Sequence, residues 1–437
     1  MKKKYIVLSI ITLVLLITFV TSFNYFKTSN NYVEDSVNNQ TKITKGISMN
    51  LEQTAGAGDY KIVTQSNWPT EGYKFNSELS RCENGSKISW DDTNNTLVVS
   101  GNLSDKCYVY FDIWIPSIAD YCTSGTDLVT CVKNFGDQGA SVSNIYIHDS
   151  SLANAAGDNS YRYAGANPNN FVCFGSDASP CPTDNLYRIV GVFGDNYHGV
   201  TGKQLVKLIK YDYATSSLLG TDGDYRGSST PNASYYKGNL TTIDRYYWNY
   251  KATGSATNTW STSLLNKTNL NTNFINNIGS TWANKIAAVT WKVGGNTWRN
   301  IRNVVPSVAY TNEITNPVTT NTTDNATTYS AKIGLMYASD YGFGAVPEAW
   351  TTTLVSYGGN VNGSTIRTQN WMHMGFDEWT ITRRSDDFYY AFMVSISGSV
   401  GDNRFDNHVG VRPSFNLSAS VTYVSGDGTA ENPIRIN

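Results

Sequence analysis

Two pairs of adjacent carboxylates, Asp377-Glu378 and Asp386-Asp387, are the side chains of this sequence that could do acid–base work, and Trp379 follows the first pair directly. Glycoside hydrolysis needs two carboxyls flanking a scissile bond, and a general base must lie within hydrogen-bond reach of its proton. Neighbouring carboxylates read first as solvated turn residues, so no catalytic residue is assigned to them. The four histidines, His148, His198, His373 and His408, share no motif, and no cysteine follows Cys181. Thiolate chemistry in the last third of the chain therefore has no nucleophile. A Gly-x-Ser-x-Gly elbow, a phosphate loop and a His-Glu-x-x-His helix are missing from the sequence. Cysteines and histidines do not reach four zinc ligands at suitable spacing. Asp222-Gly223-Asp224 and Asp427-Gly428 are the places where calcium is conceivable; no metal and no cofactor are expected.

Recognition chemistry is better represented. Trp371, His373, Trp379, Tyr389, Asn403 and His408 cluster in sequence with Arg383 and Arg384. Binding surfaces use aromatic and arginine anchors among adaptable Asn, Ser and Gly, as in Gly398 to Asn407. Arg412 reads differently, as a brace for loops through charge-assisted hydrogen bonds.

Strands must hold these residues. Trp379 and Ile381 alternate with Thr380 and Thr382, a period of two. Phe388 to Val394 and Val409 to Phe415 read similarly, with Pro413 marking an edge or bend. Leu186 to Phe193 and Gln204 to Ile209 read as two further strands. Trp260 to Ile278 has apolar residues at three- and four-residue steps and is expected to be a helix capped by Ser261 or Thr262. Ile333 to Tyr337 is expected to be a strand that Ser339-Asp340-Tyr341-Gly342 leaves. Ala214 to Asn249 reads as loop, and Asn312 to Ser330 as a Thr- and Asn-rich flexible insertion.

Five stretches of this region, in order, carry a resemblance: Leu186-Tyr187-Arg188-Ile189-Val190-Gly191-Val192, Trp260 to Leu265, Ile333 to Tyr341, Trp379 to Arg383 and Gly410-Val411-Arg412-Pro413. Together they resemble an uncharacterised domain of gut Firmicutes surface proteins, similar to the sulfatase-modifying-factor branch of the C-type-lectin fold. The resemblance covers roughly residues 150 to 437. It implies that the two ends of the domain lie side by side, with Ile434 to Ile436 near the strand Leu186 to Phe193. It also implies that ligand diversity sits in the loop just before the Gly-x-Arg element, where Asp402, Asn403, Arg404, Phe405, Asp406 and Asn407 fall. The formylglycine-generating members rely on a reactive cysteine pair in this core, which the chain lacks. The sugar-binding calcium tripeptides of C-type lectins are missing too.

The amino terminus sets the compartment. Met1-Lys2-Lys3-Lys4 precedes an apolar run from Tyr5 to Phe26, long enough as a helix to cross a bilayer core of roughly 30 Å. The lysines place the start inside and the remainder outside. Residues 1–26 are read as a signal anchor or a signal peptide cleaved near Val20-Thr21-Ser22, and residues 27–55 as a polar stalk. Among 437 residues, 16% are charged and net charge is −2, which removes the electrostatic case for nucleic acid. Aromatics reach 13%, with Asn, Thr, Ser and Gly abundant, a composition suited to a β-rich exported protein or a sugar-binding one.

Export permits disulfides. Cys82 and Cys107 each precede a strand in residues 56–115, which read as a small β-sandwich, and are expected to bond. Cys173 and Cys181 flank a compact loop and are expected to pair locally. Cys122 and Cys131 can pair across a bend, although six cysteines admit other connectivities. Residues 116–150 read as a helical and loop connector, and 151–437 as the C-type-lectin-like domain. The expected class is α+β: a membrane helix, a small sandwich, then a domain with a small twisted antiparallel sheet, short helices and long loops. The expected function is non-catalytic, adhesin-like binding of a glycan or protein at the outer face of the cell membrane, or secreted if the signal is cleaved. The expected binding residues are Trp371, His373, Trp379, Arg383, Arg384, Tyr389, Asn403, Arg404, Phe405, Asn407 and His408. A degenerate enzyme of the same fold and a pilin-like envelope component are the alternatives.

Overall fold

Alternation of apolar and polar side chains builds the first of two units, which ends at Ile115; the second is Pro116–Asn437. In the computed structural model of the chain, the described residues are 46–63, 69, 72–91, 93–102, 105–194, 202–250, 257–317 and 327–437. Among them no helix is long and apolar enough to cross a membrane. The expected anchor at 1–26 and most of the expected stalk lie outside the described residues, as does His198.

In the first unit, Ile47–Glu52 runs parallel to Cys107–Ile113 and antiparallel to Tyr60–Val63. Tyr73–Phe75 and Arg81–Cys82 pair with the other side of Cys107–Ile113. The hairpin Lys87–Asp91/Thr96–Ser100 turns where the Asp91 carboxylate accepts from the Thr93 and Asn94 amides. Its Trp90 meets Phe111 edge-on at 5.0 Å, over a core of Met49, Val109 and Phe111. One expectation fails here: the stalk was expected to run to residue 55, but 47–52 form a strand whose Met49 is buried. The alternation Ile47-Ser48-Met49-Asn50-Leu51-Glu52 is itself a strand pattern, and its parallel partner is the distant strand 107–113.

Cys82 and Cys107 are directly opposed residues of paired strands and are bonded. Cys122–Cys131 and Cys173–Cys181 are bonded as well. The first bond closes a loop across 25 positions. In the chain-entropy picture such closure contributes about 3 kcal/mol, a large fraction for a unit with three fully buried core residues. The double variant Cys82→Ser/Cys107→Ser should therefore shift the urea unfolding of this unit by about 3 kcal/mol, followed by the fluorescence of Trp90. The transition of the larger unit should be unmoved.

The second unit is mixed α and β, with mostly strands and short helices. Its main sheet runs, in spatial order, Ile333–Gly334, Ser414–Asn416, Leu205–Lys210, Leu186–Phe193, Tyr161–Tyr163, Ile145–Ile147, with Phe171–Cys173 also on Leu186–Phe193. Leu186–Phe193 is buried along its whole length. It bulges between Ile189 and Gly191, where a Cβ on Gly191 would strike the carbonyl of Tyr161. Residues 116–150 are not a connector. The helix Leu128–Gly136 buries Leu128, Cys131, Val132 and Phe135 in the main core, and Ile145–Ile147 is the sheet's edge strand. The helical part of that expectation holds, but the segment belongs to the larger unit, whose core takes the apolar face of this nine-residue helix.

Other differences share one cause: short elements stabilised by distant partners carry weak local signals. The expected loop 214–249 contains Ser216–Leu219, Tyr225–Ser229 and Ile243–Tyr247. The expected flexible insertion contains a helical turn with buried Glu313 and a strand, Thr328–Ala331, paired with Val289–Lys292. Helical conformation over 260–278 is present, but as a turn at Trp260–Thr262, a π-helical stretch Leu265–Phe274 and a last turn Ile275–Asn277. Its cap is Ser263, whose hydroxyl accepts from Asn266 N. The expected strand 333–337 is confined to Ile333–Gly334; residues 335–337 link it to the helix Ala338–Phe343.

Candidate binding surface

Arg412 organises the region expected to recognise a ligand. Its Nε donates to both carboxylate oxygens of Glu378 at 2.9 Å, and its other nitrogens donate to the carbonyls of Met372 and Tyr211. Arg412 and Glu378 are both buried. The backbone reinforces the clasp: Gly410 N donates to Asp377 O and Trp379 N to Gly410 O. Gly410 has to be glycine, since a Cβ would lie 2.6 Å from the Tyr213 ring. The bracing role expected of Arg412 is what the geometry displays.

From this clasp the strand Glu378–Arg383 leads into a three-stranded sheet with Tyr390–Val394 and Val400–Arg404. All six residues of Glu378–Arg383 are buried. Thr380 and Thr382, expected on the opposite face from Trp379, are as enclosed as it is: Thr380 Oγ1 donates to Phe392 O and Thr382 Oγ1 to Glu313. The following turn brings His408–Val409 against Ile243–Tyr247, with Tyr247 opposite His408.

The structure splits the eleven expected binding residues. Trp371 is inside, its indole N–H donating to Tyr163 O and the Arg188 guanidinium 4.7 Å from its ring. Trp379 is inside, donating to Tyr246 O at 2.9 Å. Arg383 is inside, donating to Val293 O. His373 is inside near the Tyr341 ring. Phe405 is buried too, though it forms the floor beneath an exposed ring. These five cannot be outward ligand contacts. Buried tryptophans need a partner for the indole N–H, and these partners are 208 and 133 positions away, beyond the reach of any local pattern.

The remaining six stay together near the surface. Tyr389 is 42% exposed and Phe388 37%. Their rings are 4.1 Å apart, and Tyr389 stacks on Phe405 at 6.1 Å with planes 19° apart. Arg404 is exposed, 6.0 Å from the Tyr389 ring, and paired with Asp406 at 2.8 Å. Asn403 Oδ1 accepts from Arg404 N and from Asn407. Arg384 is half-buried and bound to Asp386 and Asp402, so it stiffens the hairpin that carries the rings. On the neighbouring sheet, His408 meets Tyr247 at 5.9 Å, and the Arg226 guanidinium lies 4.4 Å from Tyr247 and 3.9 Å from Tyr250. Burial and the charges of Arg245 and Arg226 depress the His408 pKa, so its ring is neutral at pH 7. Phe388, Arg226, Tyr247 and Tyr250 were not among the expected binding residues; the Tyr246-Tyr247-Trp248-Asn249-Tyr250 run is the sequence signal that points to the last two.

Partly exposed rings beside paired arginines and asparagine amides can contact an apolar surface and hydrogen-bond its polar edge. Among the described residues no group of three or more His, Cys, Asp or Glu side chains could hold a metal ion. Asp222 instead accepts from Asn273, and Asp224 from Leu265 N. No protein-family model, curated protein or solved structure matches the chain.

His373 has a different consequence. Burial, then the charges of Lys237 and Arg412, lower its pKa from 6.5 to about 4, against an opposing pull from the backbone of Ser395 and Ile396. The folded state thus holds it neutral while the unfolded chain protonates it near 6.5. Its contribution is complete above 6.5 and is lost as pH falls from 6.5 through about 4. His148, buried against Phe343 and Trp350, has the same sign. Melting temperature should fall over that window, and His373→Phe should fall less steeply than the unaltered chain when both are measured from pH 7 to 4.

Proposed function

We propose that this chain is an exported bacterial surface protein whose larger unit is a C-type-lectin-like domain that binds a glycan without catalysis. The observation that carries the reading is the exposed ring pair Phe388–Tyr389, with Tyr389 stacked on Phe405 and Arg404, Asn403 and Asn407 close by. A pyranose presents an apolar C–H face and a rim of hydroxyls; the rings match the first and the amides and guanidinium the second. Rigid strands hold these groups, which reduces the ordering cost of binding.

Several features support the wider reading. Three disulfides are compatible with an oxidising compartment, and the Lys2-Lys3-Lys4 start before an apolar run favours export with the bulk outside. The two ends of the larger unit run side by side, Asp127 bridging Thr422 and Gly125 N donating to Tyr423 O. Ile434 bridges Val172, whose strand pairs with Leu186–Phe193, so one strand stands between the last residues and that strand.

Residues 46–437 should retain one or more glycans on an array. Tyr389→Ala and Arg404→Ala should each weaken that binding by about tenfold or more, the effect of losing an anchor side chain, with melting unchanged. Binding by neither the parent nor any variant, or binding indifferent to both substitutions, would sink the reading. Trp379→Ala is the contrasting control: it removes a fully buried ring and should cost about 3–5 kcal/mol of stability before any question of ligand arises.

A further inference from the structure

The centre of the main sheet holds a lysine where water does not reach. Lys207 lies on Leu205–Lys210, and its Nζ is 2.6 Å from Oδ2 of Asp340 on the helix Ala338–Phe343; neither side chain is exposed. The rings of Tyr337, Trp291 and Phe193 enclose the ammonium at 4.7, 5.3 and 5.7 Å. The other oxygen, Oδ1, is 3.5 Å from Nη1 of Arg162, whose main ion pair is Asp158 at 2.7 Å. A third carboxyl stands beside the pair. Glu313 accepts from the amide and hydroxyl of Ser339, the residue before Asp340, and from Thr382. Its charge is felt at Lys207, and that of Asp340 is felt at Glu313. Burial lowers the Lys207 pKa and pushes Glu313 up to about 7, so the amine is biased toward its neutral form and Glu313 can take up or release a proton near neutral pH.

We propose that Lys207 and Asp340 become covalently joined by an intramolecular isopeptide bond. In bulk water an amine and a carboxylic acid remain an ammonium and a carboxylate, because solvation favours the ions. Enclosure removes that solvation, and exchange of one proton within the pair leaves a neutral amine against a neutral acid. The Nζ lone pair attacks Cγ, and Arg162 stabilises negative charge on Oδ1. The nitrogen gives up a proton, Glu313 relays one to Oδ2, the Cγ–Oδ2 bond breaks and one water leaves. Amine plus acid becomes amide plus water, with no oxidant and no other reactant. The bond ties the middle strand of the sheet to a helix 133 positions further along.

The test is a peptide map of the purified full-length chain, reduced, alkylated and cut with trypsin. The expected product joins residues 204–210 to residues 333–367, lacks cleavage after Lys207, and is lighter by one water than the two peptides together. Asp340→Asn should give a linked product of the same mass, with ammonia as the leaving group, and Glu313→Gln should lower the linked fraction at least tenfold. Recovery of Lys207 and Asp340 in separate, unmodified peptides from the unaltered chain would overturn the bond. Undiminished linkage in Glu313→Gln would overturn the relay.

Discussion

One buried ion pair, Arg412–Glu378, fixes where the surface-facing hairpins stand. Two charges in a water-excluded site are tolerated only when the geometry is good and the remaining donors find acceptors. Here Nε spans both carboxylate oxygens while the other guanidinium nitrogens reach the carbonyls of Met372 and Tyr211. Three separated stretches of chain therefore share one planar fork, which lysine could not supply. Everything that follows Glu378, including the ring pair Phe388–Tyr389, leaves from that fixed point.

The clasp also explains why so much recognition-like chemistry is hidden. Gly375 adopts a φ of +87°, and a Cβ there would collide with the carbonyl of Tyr235, so the chain folds tightly around residues 371–376. Trp371, Met372 and His373 are thereby turned inward beside Arg188 and Tyr341. Much of the high aromatic content goes to the core: Trp248, Trp260, Trp291, Trp350, Trp371 and Trp379 are all fully buried. A composition that suits a sugar-binding face thus serves largely to fill space between many short, weakly apolar elements. Among the described residues of the hairpin turns, Phe388 and Tyr389 are the large rings left exposed.

What was legible in the sequence follows the range of the forces involved. The strands Leu186–Phe193 and Leu205–Lys210 announce themselves through β-branched runs, and the disulfide Cys173–Cys181 through the short loop between its ends. Arg412 as a brace was legible from its capacity for charge-assisted hydrogen bonds to carbonyls and carboxylates. Burial on both faces of Glu378–Arg383 was not legible, since Thr hydroxyls satisfied inside by Phe392 O and Glu313 look in sequence like hydroxyls facing water. Helical spacing around Leu128–Gly136 was legible, but its membership of the core was not, and Ile47–Glu52 was read as stalk despite its alternation; both depend on neighbours far along the chain.

The same distinction separates the two kinds of arginine here. Arg383 and Arg412 are enclosed, and their planar groups answer to backbone carbonyls and to Glu378; they set geometry. Arg404 and Arg226 lie nearer the surface, and their guanidinium groups stand beside aromatic rings. Arg404 is also paired bidentately with Asp406, Nε to Oδ1 and Nη2 to Oδ2, which fixes its guanidinium geometrically. The Asp406 carboxylate therefore sets where Arg404 stands on the hairpin, 6.0 Å from the Tyr389 ring.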